Sequence, residues 1–267
     1  MKNTFHTIVA GLALAGAAFA QGTVQCDSPG WRINGMETFC KMVEIPAAFN
    51  GSLSVKSGNG VTLIRGWDEA GVLVRAQIQT TAASVYDAIA LADRIAIDAT
   101  AGQVQAMGPQ TTTHLSWGVS WEIFVPHSAD VSLAAVNGAI AISDVTGRIQ
   151  FSVTNGAVTL ERLGGQVDGT AVNGAIAITL GGDHWDGTGL TVKTSTGAIA
   201  VRVPHDYSAH FEAATTVGTI STNYPVNTSG GKWGIPGLGG SLSFDAGAGG
   251  VPIRVSTVVG AVRIVAE

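Results

Sequence analysis

A repeat of eighteen residues constrains the fold of this chain more than any other feature of its sequence. Residues 136–142 read VNGAIAI, and related segments begin at Thr154 (TNGAVTL) and Val172 (VNGAIAI). Glycines recur every nine residues across this region, and an asparagine precedes every second glycine. The repeating unit therefore consists of two similar halves, each with its own bend.

Aliphatic residues occupy the same offset in successive units, as in the set Ile140, Val158 and Ile176. Side chains that alternate along a strand and recur at a fixed interval form columns when strands stack ~4.8 Å apart. A meander of antiparallel hairpins also alternates, but it does not need one residue type at the same offset in every unit. We therefore predict an all-β fold, a parallel β-helix-like solenoid with coils of roughly 18–23 residues and an irregular β-rich N-terminal part.

Weaker copies of the unit follow at Gly197, Gly218 and Gly260, after spacings of 23, 21 and 42 residues. The longer spacings indicate insertions, and the last one has room for a degenerate coil. We expect the glycine-rich run over residues 234–250 to be a long flexible insertion, because no strand-to-helix junction follows that would make it a phosphate-binding loop.

The asparagine-glycine pairs are typical of a structural bend. Glycine adopts backbone angles that are closed to other residues, and asparagine tolerates the left-handed region better than most. Stacked asparagine side chains also hydrogen-bond along the stacking axis. We expect this row of asparagine hydrogen bonds to be interrupted where Val217 and Val259 replace asparagine. The predicted bend residues are Asn137, Gly138, Asn155, Gly156, Asn173 and Gly174.

The first twenty residues are typical of a secretory signal peptide. An apolar stretch over residues 8–19 leads into Ala18-Phe19-Ala20, the small-x-small pattern that signal peptidase cleaves. A retained anchor is the weaker interpretation, because this stretch is shorter than the roughly 20 residues that a span needs. We predict an exported chain, periplasmic or extracellular, that starts at Gln21 and has no membrane span.

Cys26 and Cys40 are the only cysteines of the chain. In an oxidising compartment such a pair usually closes, so we predict a disulfide between them. The alternative is a metal-binding or redox pair, but the spacing is not Cys-x-x-Cys and no histidine lies nearby.

We divide the chain into a signal peptide (1–20), a disulfide-closed segment (21–44), a β-rich N-terminal part (45–126) and a solenoid repeat region (127–267). Within the β-rich part, alternation predicts strands that end near Ile64 and that cover residues 72–78 and 117–125. Residues 84–93 have the composition of a short helix.

Charge is sparse and evenly spread, which argues against several partners. Charged residues make up 12% of the chain, the net charge is −5, and lysine and arginine occur singly. Without a basic patch, nucleic acid and anionic membrane surfaces are poor partners. We expect the partner to be an unidentified envelope protein or a polysaccharide.

Residues suited to catalysis or metal binding form only weak patterns. Asp183, His184 and Asp186 are weak candidates for a metal site, because a closed site needs further ligands. We favour a solvated turn anchored by a buried Trp185 and expect no metal and no cofactor. Trp67, Trp185 and Trp233 lie in predicted turns, where a ring either binds carbohydrate or caps the solenoid.

No pair of acids or nucleophilic motif is evident, so we expect no enzymatic activity. Asp144, Glu161 and Asp168 are spread along the repeat, whereas glycoside hydrolysis needs two acids at one cleft. A Ser-His-Asp arrangement can be assembled only by free choice, and no Gly-x-Ser-x-Gly elbow is present. The histidines open to such a choice are His114, His127, His205 and His210.

The outward side chains that follow the bends are small and uncharged. Long polar side chains such as Arg148 and Gln150 follow the intervening glycines instead. A flat strip of methyl groups packs against a partner at little entropic cost, but the N-terminal strands of the same chain could equally cover it. The predicted face, called the small-residue strip below, consists of Ala139, Ala141, Ala157, Thr159, Ala175, Ala177, Ala198 and Ala200.

Several strings together resemble a known family. SGNGVTLIRGWDEAGVLVRA, the strand WGVSWEIFVP, and the NGAI, NGAV and TGAI units with HWDG between them are similar to bacterial exported β-strand-repeat proteins of unknown function labelled "putative adhesin". The resemblance covers the chain from about Ile45 onward. It implies an exported β-repeat protein and assigns no active site.

These patterns together favour an exported, non-enzymatic β-repeat protein that acts as an adhesin-like binding or structural module at the cell envelope. Two alternatives stay open. One is a polysaccharide-acting enzyme on a β-solenoid, by fold analogy. The other is a periplasmic sensor or partner of an envelope-stress system.

Overall fold

The computed structural model describes residues 25–26, 32–33, 35–226 and 239–267. The predicted signal peptide, its cleavage site and Trp233 lie outside these residues. The described chain is all-β with a single short helix, and its strands form two large sheets that do not close on themselves.

The first sheet has eleven strands, in the order β1-β2-β5-β8-β4-β10-β12-β14-β16-β21-β18. Its strands are β1 Arg32–Ile33, β2 Met36–Ala47, β4 Thr62–Trp67, β5 Val72–Ala82, β8 Ser116–Pro126, β10 Ile140–Ser143, β12 Val158–Glu161, β14 Ile176–Thr179, β16 Ile199–Val203, β18 Ile220–Thr222 and β21 Val262–Ala266.

The second sheet has ten strands, in the order β19-β17-β20-β15-β13-β11-β9-β3-β7-β6. Its strands are β3 Ser52–Asn59, β6 Ala96–Asp98, β7 Gln103–Met107, β9 Asp130–Asn137, β11 Thr146–Asn155, β13 Gly164–Asn173, β15 Gly187–Thr196, β17 Ala209–Val217, β19 Gly240–Ala246 and β20 Pro252–Val259.

The repeat in the sequence becomes a register of parallel strands. Strand β12 pairs with β10 and β14 so that Val158 lies opposite Ile140 on one side and Ile176 on the other. In the second sheet, β11 pairs with β9 and β13 at the same eighteen-residue offset, for example Ile149 with Val167. We call each pair of successive strands, one from each sheet and joined by a glycine bend, a unit.

The core consists of side chains that alternate inward along both sheets. Ile140, Val158 and Ile176 are each about 1% exposed, and Ile149 and Val167 are fully buried. Strands with a 2-residue period place such residues on one face and polar residues on the other. The predicted column of aliphatic residues is therefore buried.

The units do not stack in the order in which the chain makes them. At one end, β3 and β4 pair with β9 and β10 in the bend register, so that Asn59 lies opposite Asn137. At the other end, β20 and β21 lie between the units β15/β16 and β17/β18. The long spacing before Gly260 therefore reflects an insertion of the last unit into the stack.

The N-terminal strands extend the first sheet sideways. Strands β2, β5 and β8 pair antiparallel with one another, and β8 pairs parallel with β4. The helix α1 Val85–Ala92 begins after the N-cap Ser84, whose hydroxyl accepts a bond from the Asp87 N–H, as predicted for this segment. Cys26 and Cys40 form the predicted disulfide, with a Cα separation of 5.7 Å.

The described part of the glycine-rich run differs from the prediction of a flexible insertion. Residues Gly240–Ala246 form strand β19, which pairs antiparallel with β17. Leu242 and Phe244 alternate along it, and the Phe244 ring lies 5.4 Å from that of Phe211. The glycine content hid this alternation of apolar side chains. Within the described ranges, the helix is too short to span a membrane.

Candidate functional site

The bend glycines lie directly on one another in successive units. A Cβ on Gly156 would lie 1.9 Å from the carbonyl oxygen of Gly138, and one on Gly174 would lie 1.9 Å from that of Gly156. Gly60 below and Gly197 above continue the row at comparable distances. The bend therefore needs glycine because another backbone passes close by, in addition to the backbone angles argued from the sequence.

Asparagine side chains form a row of hydrogen bonds beside these glycines. The Asn155 amide donates to Asn137 Oδ1 at 2.9 Å, and the Asn173 amide donates to Asn155 Oδ1 at 3.0 Å. The Asn137 amide in turn donates to Asn59 Oδ1 at 2.9 Å. Asn59 was outside the predicted set, although the string SGNG that contains it carries the same Asn-Gly pair. These side chains hold the stack together.

Where asparagine is replaced, buried threonines form the side-chain hydrogen bonds between neighbouring units. Thr196 follows Asn173 in the row, and Val259 and Val217 follow Thr196. In these later units, a threonine two residues before the bend position donates its hydroxyl to the carbonyl of a bend glycine in the neighbouring unit. These bonds join Thr194 to Gly174, Thr257 to Gly197 and Thr215 to Gly260.

The small-residue strip lies on the outer face of the eleven-stranded sheet, and none of its eight side chains is buried. In register, Ala141 lies opposite Thr159, Thr159 opposite Ala177, and Ala177 opposite Ala200. Strands β2, β5 and β8 continue the sheet edgewise and do not lie over the strip. The described N-terminal strands therefore do not cover it.

Exposed valines lie on the outer face of the ten-stranded sheet, on the other side of the asparagine row from the strip. Val136 and Val172 immediately precede bend asparagines and are 50% and 48% exposed. Val258, Val259 and Val217 occupy the same corner in the later units and are exposed to a similar extent. Only the residues after each bend were predicted as a face.

Charged residues border the strip at both ends. At one end Ala141 lies opposite Leu63, and Leu63 lies opposite Glu122. The Glu122 side chain is 1% exposed and lies 3.7 Å from Arg65 and 3.6 Å from Arg75. At the other end, Ala200 lies opposite the exposed Arg263. The two arginines at the first end are paired with Glu122 and Glu44, so the charges there balance, whereas the other end presents the cation Arg263.

The loop that contains the weak metal candidates is a turn anchored by a tryptophan. Trp185 is 3% exposed, and its indole N–H donates to the Gly165 carbonyl at 2.9 Å. His184 Nδ1 lies 2.6 Å from Asp183 Oδ1, and this contact lowers the pKa of Asp183. Within the described ranges, no group of three or more metal-ligating side chains comes together.

The acids considered for glycoside hydrolysis occupy different environments. Asp144 forms a two-pronged ion pair with Arg162, through contacts of 2.6 and 2.7 Å, and the guanidinium holds the pKa of this carboxyl below its usual range. Glu161 is largely buried and lies 3.5 Å from the same arginine. Asp168 accepts a bond from Gln166 on the other sheet. The structure therefore brings Asp144 and Glu161 to one guanidinium and leaves Asp168 on the other sheet.

One histidine lies between a serine and an aspartate. His210 Nδ1 is 2.7 Å from Asp245 Oδ1, and its Nε2 is 3.1 Å from Ser243 Oγ. His127 instead contacts the Asp144 carbonyl and lies near Asp68. The cluster at His210 was missed because its three members come from two strands that are distant in sequence.

Of the predicted turn tryptophans, Trp67 and Trp185 lie in the described ranges, and the indole N–H of each donates to a backbone carbonyl. Trp67 donates to the Gly71 carbonyl at 3.0 Å and lies against Phe124. Trp121 is 1% exposed in the core, and Trp117 donates to the Pro109 carbonyl at 2.7 Å.

Comparison with known proteins identifies structural relatives of the chain. No family model and no curated protein matches the sequence. Among solved structures, a "putative cell adhesion protein" from Clostridium sporogenes is similar over 85% of this chain and 100% of its own, with 12% identity and a TM-score of 0.45. A "putative adhesin" from Bacteroides fragilis is similar over 84% of this chain and 97% of its own, with 10% identity and a TM-score of 0.36.

A "putative lipid binding protein" from Parabacteroides distasonis is similar over 84% of this chain and 96% of its own, with 9% identity and a TM-score of 0.28. Solved structures described as adhesins are therefore similar to this chain, in line with the resemblance in its motifs. Identities of 12% or less and TM-scores below 0.5 leave its role to be argued from its own residues.

Proposed function

We propose that this chain is an exported β-solenoid whose small-residue strip binds a flat apolar surface of a protein partner in the cell envelope. On this surface it acts as an adhesin-like binding or structural module, and the strip carries no group suited to acid-base or nucleophilic chemistry. The observation that supports this role most directly is the run of short side chains, none of them buried, along neighbouring strands of one sheet face.

The parallel pairing of the units supports the solenoid. Each unit adds one strand to each sheet, and hydrogen-bonded strands lie ~4.8 Å apart. The strip therefore repeats its methyl groups at that spacing over β10, β12, β14 and β16. A rigid array of short side chains loses little conformational entropy on binding.

The chemistry of the strip favours a protein partner over a polysaccharide. Sugar rings stack on aromatic side chains, and the eight residues of the strip are seven alanines and one threonine. Contiguous exposed apolar surface is typical of a protein interaction site, and the exposed Arg263 at one end of the strip suits a partner with an acidic residue at the corresponding position.

Export is supported by the covalent link between Cys26 and Cys40. A closed disulfide is typical of secreted and periplasmic proteins. The partner is therefore sought in the envelope fraction of the source cell.

The test replaces Ala141 and Ala177 by arginine in the same chain. Both side chains point outward, so we expect an unchanged melting temperature and at least a tenfold loss of co-sedimentation with isolated envelopes. The matched control is Gln150→Arg, which adds a cation on the outer face of the other sheet, where the wild-type side chain is exposed.

Three outcomes would contradict the proposal. A large drop in melting temperature for the double variant would mean that the strip is covered within the chain. Equal loss of binding in the Gln150→Arg control would mean that the strip is not the binding surface. Binding that survives protease treatment of the envelopes but is lost after polysaccharide digestion would identify a polysaccharide partner.

A further inference from the structure

We propose that Ser243, His210 and Asp245 form a nucleophilic triad on the outer face of the ten-stranded sheet, able to transfer the acyl group of a short-chain ester to Ser243. This site lies on the ten-stranded sheet, whereas the small-residue strip lies on the eleven-stranded sheet. It therefore goes beyond the binding role and is independent of it.

Strand pairing brings the three side chains together. In the antiparallel pair β17/β19, His210 lies opposite Asp245, and Glu212 lies opposite Ser243. Ser243 and Asp245 are two residues apart, so both side chains point to the face that His210 occupies. Directly opposite and diagonal positions of such a pair are close enough for side-chain contact. The arrangement is thus set by the register of β19.

The distances are those of a serine activated by a histidine. Ser243 Oγ lies 3.1 Å from His210 Nε2, within the range for a nucleophile and its base. Asp245 Oδ1 lies 2.7 Å from Nδ1 of the same ring. An aspartate on Nδ1 holds the proton there, which leaves Nε2 free to accept the hydroxyl proton. Asp245 is therefore a positioning residue.

Glu212 does not displace Ser243 from this nitrogen. Its carboxylate lies 3.8 Å from His210 Nε2, farther than the serine oxygen. The same carboxylate accepts hydrogen bonds from Arg254 at 3.0 and 3.1 Å. Arg254 therefore pairs with the Glu212 carboxylate, and Ser243 is the nearer partner of His210 Nε2.

A shallow depression beside Ser243 has room for a small acyl group. It has a volume of about 440 Å³, and its lining includes the short side chains Ala214, Ser241 and Ser256. Lys193, Arg254 and Glu212 also line it, and Arg254 is paired with Glu212. The short side chains suit an acetyl or similar group, and Lys193 suits an ester whose remaining part is anionic.

The reaction is an ordinary acyl transfer. Ser243 Oγ attacks the ester carbonyl carbon while its proton passes to His210 Nε2. The C–O bond to the leaving alcohol then breaks, and that oxygen takes the proton from the imidazolium. Water, with His210 again as base, releases the acid from the acyl-serine. Among the described strands β19 is at the edge of its sheet, so alternate N–H groups of this strand have no strand partner and are available to the developing oxyanion.

The test uses a fluorophosphonate probe, which reacts covalently with nucleophilic serines, on the intact exported chain. We expect the probe to modify Ser243, as located by peptide mass spectrometry, and the modification to be lost in Ser243→Ala. The matched control is Ser152→Ala, which changes an exposed serine on the outer face of the same sheet, away from the depression, and should react like the wild type. His210→Gln should slow labelling by about 100-fold, since a general base contributes that much or more.

The role of Asp245 is tested separately with Asp245→Asn. We expect the maximal labelling rate to fall at least tenfold, with an unchanged half-saturating probe concentration and an unchanged melting temperature. Labelling of Ser241 and Ser243 at equal rates, or labelling of Ser243 that does not depend on His210, would overturn the proposal. So would a wild-type chain that is not labelled at all.

Discussion

Thr257 donates its hydroxyl to the carbonyl oxygen of Gly197 at 3.0 Å, across the boundary between two neighbouring units. The bond occurs where the outer row has changed from asparagine through Thr196 to Val259. Hydrogen bonds between exposed asparagine side chains are thus replaced by hydrogen bonds from buried threonine hydroxyls. A side-chain hydrogen bond therefore joins the bend of each of these units to the neighbouring unit.

Thr257→Val should lower the free energy of unfolding by about 1 kcal/mol, because it keeps the shape and removes one buried hydrogen bond. Urea denaturation at neutral pH measures the change. Ser256→Ala is the matched control, since this side chain points outward from the same strand and should have little effect. Equal effects of the two substitutions would mean that the hydroxyl bond contributes nothing specific.

Gly156→Ala should destabilise the chain by about 3 kcal/mol or more, because overpacking at a site that cannot move displaces backbone. The new Cβ would lie 1.9 Å from the Gly138 carbonyl oxygen. Gly58→Ala is the control, because a Cβ there meets nothing within 4 Å. Thermal unfolding followed by circular dichroism compares the two. Similar melting temperatures would argue against a close-packed bend.

Val158→Asp should cost on the order of 4 kcal/mol or abolish folding, because it buries an unpaired carboxylate in the core column. Val158 is 1% exposed, whereas Thr159 beside it points outward. Thr159→Asp therefore serves as the control with the same new charge. A melting temperature unchanged in Val158→Asp would contradict the stacked column.

The ion pair between Asp144 and Arg162 should make stability depend on acid pH. Arg162 lowers the pKa of Asp144 in the folded chain, so the pair's contribution is present above the ordinary aspartate pKa of about 3.9 and is lost as pH falls through the lower folded value. Asp144 has a φ of 60°, a conformation that asparagine tolerates.

Asp144→Asn therefore removes the charge with little change in backbone. We expect the wild type to melt above this variant at pH 6 and the difference to shrink below about pH 4. A difference that is constant from pH 6 to pH 2 would show that the charge of Asp144 is not the cause.

Much of the repeat was predictable because each unit presents the same residues to the same neighbours. Ile140, Val158 and Ile176 share an offset, and this offset became the strand register. The asparagine row was predicted from the same periodicity, because an asparagine at the same position of each unit lies opposite the asparagine of the next unit. Local chemistry also predicted the helix after Ser84 and the Cys26–Cys40 bond.

Features that depend on distant strands were not predictable. Strand β19 lies within a glycine-rich run, and its register with β17 places Asp245 beside His210, 35 residues away. Nothing in the spacing of these residues indicates that contact. The exposed Val136 and Val172 were not predicted, although alternation from the buried Ala135 and Ala171 beside them places both on the outer face.

The position of strands β20 and β21 affects how the chain completes its fold. They follow the other described strands in the sequence, yet they separate β15/β16 from β17/β18. Strand β17 can form its hairpin with β19 first, but it has no parallel neighbour until Pro252–Val259 pairs with it. Loss of β20 and β21 would therefore open the interior of the stack instead of shortening one end of it.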